Sequence, residues 1–240
     1  MTVSLEVCVD TVEGVLAAKA GGAARVELCA ALSEGGLTPS SGMMQAAAGL
    51  EIAAFAMIRP RSGLFFFSEA EVEAMIEDVA AARRAGLQGV VLGVQAADGG
   101  LNLDALARLQ DAAGDMGTTL HRVIDVVPDP LTAIDQAADL GFDRVLTSGA
   151  APLAPDGAAM IRAMTERARG RLSVMPGCGL TPENVADVVQ QTGAREVHAA
   201  CAAPVPEAET FSDFDPPSGR MKTDENQVRD MVAALRRETH

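Results

Sequence analysis

The chain has 240 residues, 48% of them hydrophobic, with 33 acidic against 19 basic side chains and a formal net charge of −14. That length and apolar content suit one large-cored α/β domain, while the acidic surplus repels phosphate backbones and leaves no basic stripe for DNA or RNA. The first residues carry no basic segment followed by an apolar run, and no long uninterrupted apolar stretch occurs. Neither a signal peptide nor a membrane span is expected, and four loosely spaced cysteines read as reduced thiols of a cytoplasmic protein.

In chain order, β-rich runs fall at about 4–9, 25–29, 52–59, 89–94, 117–124, 144–148, 171–176 and 196–201. Amphipathic Ala/Leu-rich segments follow them at roughly 11–20, 38–48, 69–85, 103–113, 130–140, 156–168, 181–192 and 224–237. Eight β-then-α units predict a single-domain (β/α)₈ barrel over residues 1–240. An open doubly wound sheet is disfavoured, because the turn after the first strand is Asp10-Thr11-Val12-Glu13, without a glycine-rich dinucleotide fingerprint. Ser68-Glu69, Thr38-Pro39 and Thr181-Pro182 read as helix starts, and Gly86, Gly141 and Gly193 as helix ends. The Pro-rich stretch 202–223 is expected to be an irregular loop.

Residues two apart in a strand share a face, so Glu6 with Cys8, and Glu27 with Cys29, each project a carboxylate and a thiol to one side. In a parallel barrel the carboxyl ends of the strands form the functional rim. Arg59, Arg61, His121, Arg122, Asp125, Thr147, Ser148, the 175–179 segment, His198 and Cys201 are all expected there. His121, beside Arg122 and Asp125, is the better acid–base candidate of the two strand histidines. Met43, Met44, Met57 and Met175 read as core filler.

Seven ordered segments together resemble the CutC family of copper homeostasis proteins: EVCVD (6–10), RVELC (25–29), EGGLTPS (34–40), MIRPRSG (57–63), LHRVID (120–125), RVLTSG (144–149) and MPGCGLTPENV (175–185). The resemblance implies a single-domain eight-stranded barrel, a cytoplasmic location, a homodimer or higher assembly, and copper binding or tolerance. It carries Cu(I) ligation onto Cys8 and Cys29. Two thiolates suit this soft ion in near-linear coordination, although Glu6 and Glu27 oppose thiolate formation and free cysteine is commonly a buried small hydrophobe. The chain departs from the family at Cys178, between Gly177 and Gly179 where three glycines are usual. It departs again at Ala199-Ala200, where a Gly-Ser pair is usual. Cys178 and Cys201 add a further option, a four-thiol arc with Cys8 and Cys29 for zinc or a Cu(I) cluster.

The sequence thus leads to a copper-binding barrel whose Cys8 and Cys29 share a pocket with Glu6, Glu27, Arg59, Arg61 and His121. The alternative is an isomerase or lyase acting on a small phosphorylated or carboxylated metabolite. In that reading Glu6, Glu27, His121 or His198 shuttles protons and Arg59 and Arg61 clamp the anion. Thr147, Ser148, Gly177, Gly179 and Thr181 would form an anion site beside a helix start. A scaffold acting through its surface is the third option.

Overall fold

The computed structural model describes residues 3–206 and 219–237. Strands β1 (Ser4–Val9), β2 (Arg25–Leu28), β3 (Ala53–Met57), β4 (Gly89–Leu92), β5 (Gly117–Leu120), β6 (Arg144–Thr147), β7 (Ser173–Pro176) and β8 (Glu196–Ala199) make one parallel sheet in the order β7-β6-β5-β4-β3-β2-β1-β8. A single parallel bridge between Gly177 and His198 closes the ring. Helices α1 (Val12–Gly21), α2 (Ser41–Ala48), α3 (Glu69–Ala85), α4 (Leu103–Ala113), α5 (Pro130–Asp139), α6 (Ala158–Ala168), α7 (Val185–Thr192) and α8 (Glu225–Arg237) alternate with the strands. The architecture is the (β/α)₈ barrel expected from the repeat.

Period-two alternation divides each strand between two environments. Val7, Val9, Val26, Leu28, Ala54, Ala56, Val90 and Leu92 are buried in the large core cluster that includes apolar helix side chains such as Val15, Val72 and Leu106. Cys29, Phe55, Met57 and Val91 make a separate, smaller cluster. Gly89 and Gly117 give Phe55 its space, since a Cβ on either would fall 2.3 and 2.7 Å from the ring.

Local chemistry sets several boundaries differently from the sequence pattern. Strand β5 stops at Leu120 because the His121 ring accepts the Val123 backbone N–H and caps a 3-10 turn over Arg122–Val126. Helix α2 starts from Ser40, whose hydroxyl accepts Met43 N–H, not from Thr38, whose hydroxyl accepts Arg59 N–H instead. Thr181-Pro182 lies in a turn before α7, with Asn184 at the cap. Ser68 does form a capping box with Glu71, and Gly86, Gly141 and Gly193 all have φ of 70–83°. The stretch expected to be irregular begins and ends in an antiparallel ribbon of β9 (Ala202–Pro204) and β10 (Met221–Thr223). Its residues 207–218, like His240, lie outside the described residues.

Candidate functional site

The registers place charge inside the barrel. Glu6 stands opposite Arg25 on one side and His198 on the other, and Cys8 stands opposite Glu27. Glu6 is 1% exposed; its Oε1 lies 2.8 Å from His198 Nδ1, while Oε2 accepts Arg25 Nε–H. Arg25 continues to Glu196 at 2.7 Å, and Arg144 approaches the same Glu196 at 3.3 Å. Both guanidinium groups lie over the Phe55 ring, 5.1 and 4.9 Å from its centroid. Isolated buried charges cost many kcal/mol, so these alternating signs keep one another ionised.

The titration directions follow from that arrangement. Burial pushes the Glu6 carboxyl up, but the His198 hydrogen bond and the Arg25 charge overrule it and hold the pKa at about 2. Burial pushes the His198 ring down; the Glu27 carboxylate, with the Cys8 and Glu6 contacts, outweighs it and raises the ring well above its ordinary value. Glu27 is raised, chiefly by burial. Its Oε2 lies 3.9 Å from His198 Nε2 and accepts the Cys29 thiol at 3.5 Å, whereas its buried Oε1 has no hydrogen-bond partner. Among the described residues, Glu6, Glu27 and His198 are the one group of three or more metal-capable side chains with ligand atoms within 4.8 Å of one another.

Above this triad opens a cavity of about 840 Å³ lined by Cys8, Asp10, Glu27, Arg59, His121, Arg122, Cys178, Gly179, Thr181, His198 and Cys201. Met57, Phe65, Leu146 and Leu180 supply apolar wall, and Arg220 and Lys222 reach it from the β9–β10 ribbon and its approach. Arg59 donates from its terminal nitrogens to the carbonyls of Glu34, Gly36 and Gly63, leaving Nε buried and unbonded. His121 is 3% exposed, and burial followed by the Arg59 charge lowers its pKa to about 3. Gly93 makes room for that ring, since a Cβ there would fall 2.4 Å from His121 Cε1.

Several expected site residues have other employment. Arg61 is drawn away from the mouth: it pairs with Glu71 at 2.5 Å, bonds the carbonyls of Leu64 and Phe66, and lies over Phe67. Thr147 and Ser148 donate to Asp125, which also receives Arg122 and the Ala150 N–H, so this cluster closes on itself. Gly177 seats the ring closure against His198, and a Cβ there would fall 2.6 Å from Leu146 and 3.1 Å from His198. In the 179–184 turn, Thr181 N–H donates to Asn184 Oδ1 and Asn184 Nδ2 donates to Gly179 C=O, leaving that helix start occupied.

Of the thiols, Cys29 and Cys201 are buried and Cys8 and Cys178 half-buried. Burial first, and then Glu27, pushes Cys29 well above the usual thiol range; burial and Cys8 push Cys201 up to about 12. Cys178 is turned to the Pro152 carbonyl, 3.3 Å away, so the four sulfurs do not assemble into one ligand group. Arg25, Arg144, Glu196 and Phe55 were missing from the expected site. Their signal was the same alternation, because Arg25 precedes Glu27 by two residues and Glu196 precedes His198 by two.

The CutC family model matches residues 3–203 of this chain. A CutC family protein of Rhizobium meliloti is 46% identical over 236 residues, covering 97% of this chain and 96% of the relative. One from Caulobacter vibrioides is 47% identical over 239 residues, covering 98% and 97%. The chain belongs to the CutC family. Among solved structures, a Streptococcus agalactiae CutC protein named for copper homeostasis matches with TM-score 0.79 and 30% identity, over 82% of this chain and 98% of that one. A Pyrococcus furiosus thiamine phosphate pyrophosphorylase, 15% identical with TM-score 0.63 over 99% and 98% of the two chains, shares the fold.

The buried Glu6–His198 pair makes the stability of the fold depend on pH. A carboxyl held down contributes stability that is present above its ordinary pKa and lost as pH falls toward about 2. A raised histidine contributes stability that is present below its ordinary pKa and lost as pH rises through the folded value. Urea unfolding should therefore find Glu6→Gln less stable than the parent by about 3–5 kcal/mol near pH 6, with the gap shrinking toward pH 2. A gap that ignores pH would contradict the pairing.

Proposed function

We propose that the barrel mouth binds a small carboxylated or phosphorylated organic molecule and moves a proton on it, as an isomerase or lyase does. The observation that carries this reading is Glu27: a 3%-exposed carboxylate on an organic-sized cavity, with one oxygen unbonded and the other beside His198. A raised carboxyl and a raised imidazole side by side are suited to exchange a proton with one another and with a ligand between them. Glu6 acts as a positioning residue, fixing the His198 ring through Nδ1 so that Nε2 faces Glu27. An anionic ligand is supported by Arg59 and Arg220, which bring positive charge to the cavity wall in a chain of net charge −14. The volume lies within the range of small-molecule sites, of roughly 300–1,000 Å³, and far exceeds what one ion needs.

A second reading rests on sulfur. Cys8 acts electrostatically on Cys29, Cys8 lines the mouth, and a structural relative carries copper homeostasis in its name. On that reading the two thiols hold Cu(I), in a cytoplasmic homodimer. Proton loss from Cys29 would have to accompany binding, because burial and Glu27 favour the thiol.

The first reading is checked by incubating the protein in D₂O with a panel of small 2-oxo acids and sugar phosphates and following carbon-bound hydrogens by proton NMR. Exchange on at least one compound, reduced about 10²-fold or more in Glu27→Gln, is expected; a panel without exchange counts against it. The second is checked by anaerobic Cu(I) titration. Cys8→Ser and Cys29→Ser should each weaken binding at least about tenfold, equivalent to ~1.4 kcal/mol, whereas equal affinity in all three proteins rejects the thiol pair.

A further inference from the structure

Two buried hydrogen-bond donors lie on the same cavity wall without acceptors. His121 Nδ1 accepts the Val123 backbone N–H at 3.1 Å, which fixes the tautomer: the ring proton sits on Nε2. Nε2 is itself buried and has no partner. Arg59 repeats the pattern, its outer nitrogens tied to three backbone carbonyls and its Nε–H buried and unbonded. Phe65 joins the two. The Arg59 guanidinium carbon lies 5.1 Å from the Phe65 centroid, and the His121 ring lies 4.6 Å from it at 40°.

An unmet buried donor is destabilising, so two such donors on residues that line one cavity and pack against the same Phe65 ring call for an acceptor that enters the cavity. Backbone bonds and the Gly93 gap hold both groups in place without a ligand, as preorganised donors must be. A cation is excluded, because Arg59 is positive and His121 offers a proton, not a lone pair. The partner has to be an oxygen carrying, or about to carry, negative charge.

We infer that Arg59 Nε–H and neutral His121 Nε2–H form a clamp for the carbonyl oxygen of the substrate, which makes the ligand an aldehyde or ketone that is enolised in the mouth. This assignment rests on the acid–base reading above and specifies its substrate class. The step balances within the site. The C–H bond beside the carbonyl breaks, its proton passes to unprotonated Glu27, and the electron pair moves through the new C=C bond onto the clamped oxygen as an enolate. Reprotonation at carbon returns the proton. Glu27 Oε1, the unbonded acceptor on the same cavity, supplies the complementary half of the chemistry. A neutral imidazole is suited to the clamp because it donates a hydrogen bond to the developing oxyanion without competing for the proton being moved.

The test uses glycolohydroxamate, a planar mimic of an enediolate, titrated by calorimetry into the full-length protein and two variants with confirmed native circular dichroism. The parent should bind the probe. His121→Leu should weaken binding at least tenfold, and His121→Gln, which keeps a side-chain N–H donor, should recover most of the loss. A parent that does not bind, equal affinity in His121→Leu, or a bound structure with only an ordered water on His121 would overturn the clamp. Deuterium exchange that survives His121→Leu at the parent rate yet disappears in Glu27→Gln would overturn the clamp and leave acid–base catalysis standing. Probe binding that needs His121 in a protein without exchange would support the clamp and defeat the catalytic reading.

Discussion

The interior of this barrel depends on one buried contact, the carboxylate of Glu6 held between the imidazole of His198 and the guanidinium of Arg25. None of the three could stay charged alone inside a closed ring of strands. Together, and extended by Glu196 and Arg144 around Phe55, they turn an expensive set of charges into a ladder of alternating sign. The ladder also stands at the seam: His198 forms the bridge to Gly177 that closes the barrel. Charge pairing and ring closure therefore reinforce one another at a single residue.

That arrangement decides what the mouth above it can do. With Glu6 committed to Arg25 and His198, Glu27 is left as the carboxylate with an oxygen unbonded, and the carboxyl ends of the strands surround a cavity with titratable groups on its wall. The same carboxylates work against the sulfurs, because Cys29 donates its proton toward Glu27 instead of losing it. Electrostatics thus favour organic acid–base chemistry at Glu27 over a resting thiolate at Cys29, although a soft ion able to displace that proton would find Cys8 nearby.

Much of this was legible in the residues. The eightfold beat predicted the barrel because each strand buries an outward apolar face under its helix, and that demand shows as alternation in the sequence. Glu6, Glu27 and His198 were legible as inward polar residues by the same rule. What sequence could not reveal was partnership. Arg59 and Arg61 stand two apart in one motif, yet Arg59 turns into the mouth while Arg61 closes its own loop with Glu71. Thr147 and Ser148 look like an anion site until Asp125 occupies them from another loop. His121 looked like a proton carrier beside Arg122 and Asp125, but its ring caps the turn that follows, and Arg122 spends its charge on Asp125. Asp125 meets Thr147 and Ser148 across more than twenty residues of chain, whereas Arg61 meets Glu71, His121 meets Val123 and Arg122 meets Asp125 within ten; residue type alone does not say which of these contacts forms.

The most direct test of the account is the charge on His198, read by nitrogen-15 NMR of histidine-labelled protein, where the chain's three histidines keep the spectrum assignable. The ladder predicts that the His198 ring keeps its charge well above the ordinary histidine range, with a bonded Nδ1 proton, and that Glu6→Gln brings its titration down. A His198 that loses its charge near pH 6.5 in the parent, as an isolated histidine does, would contradict the buried pairing on which the site is built.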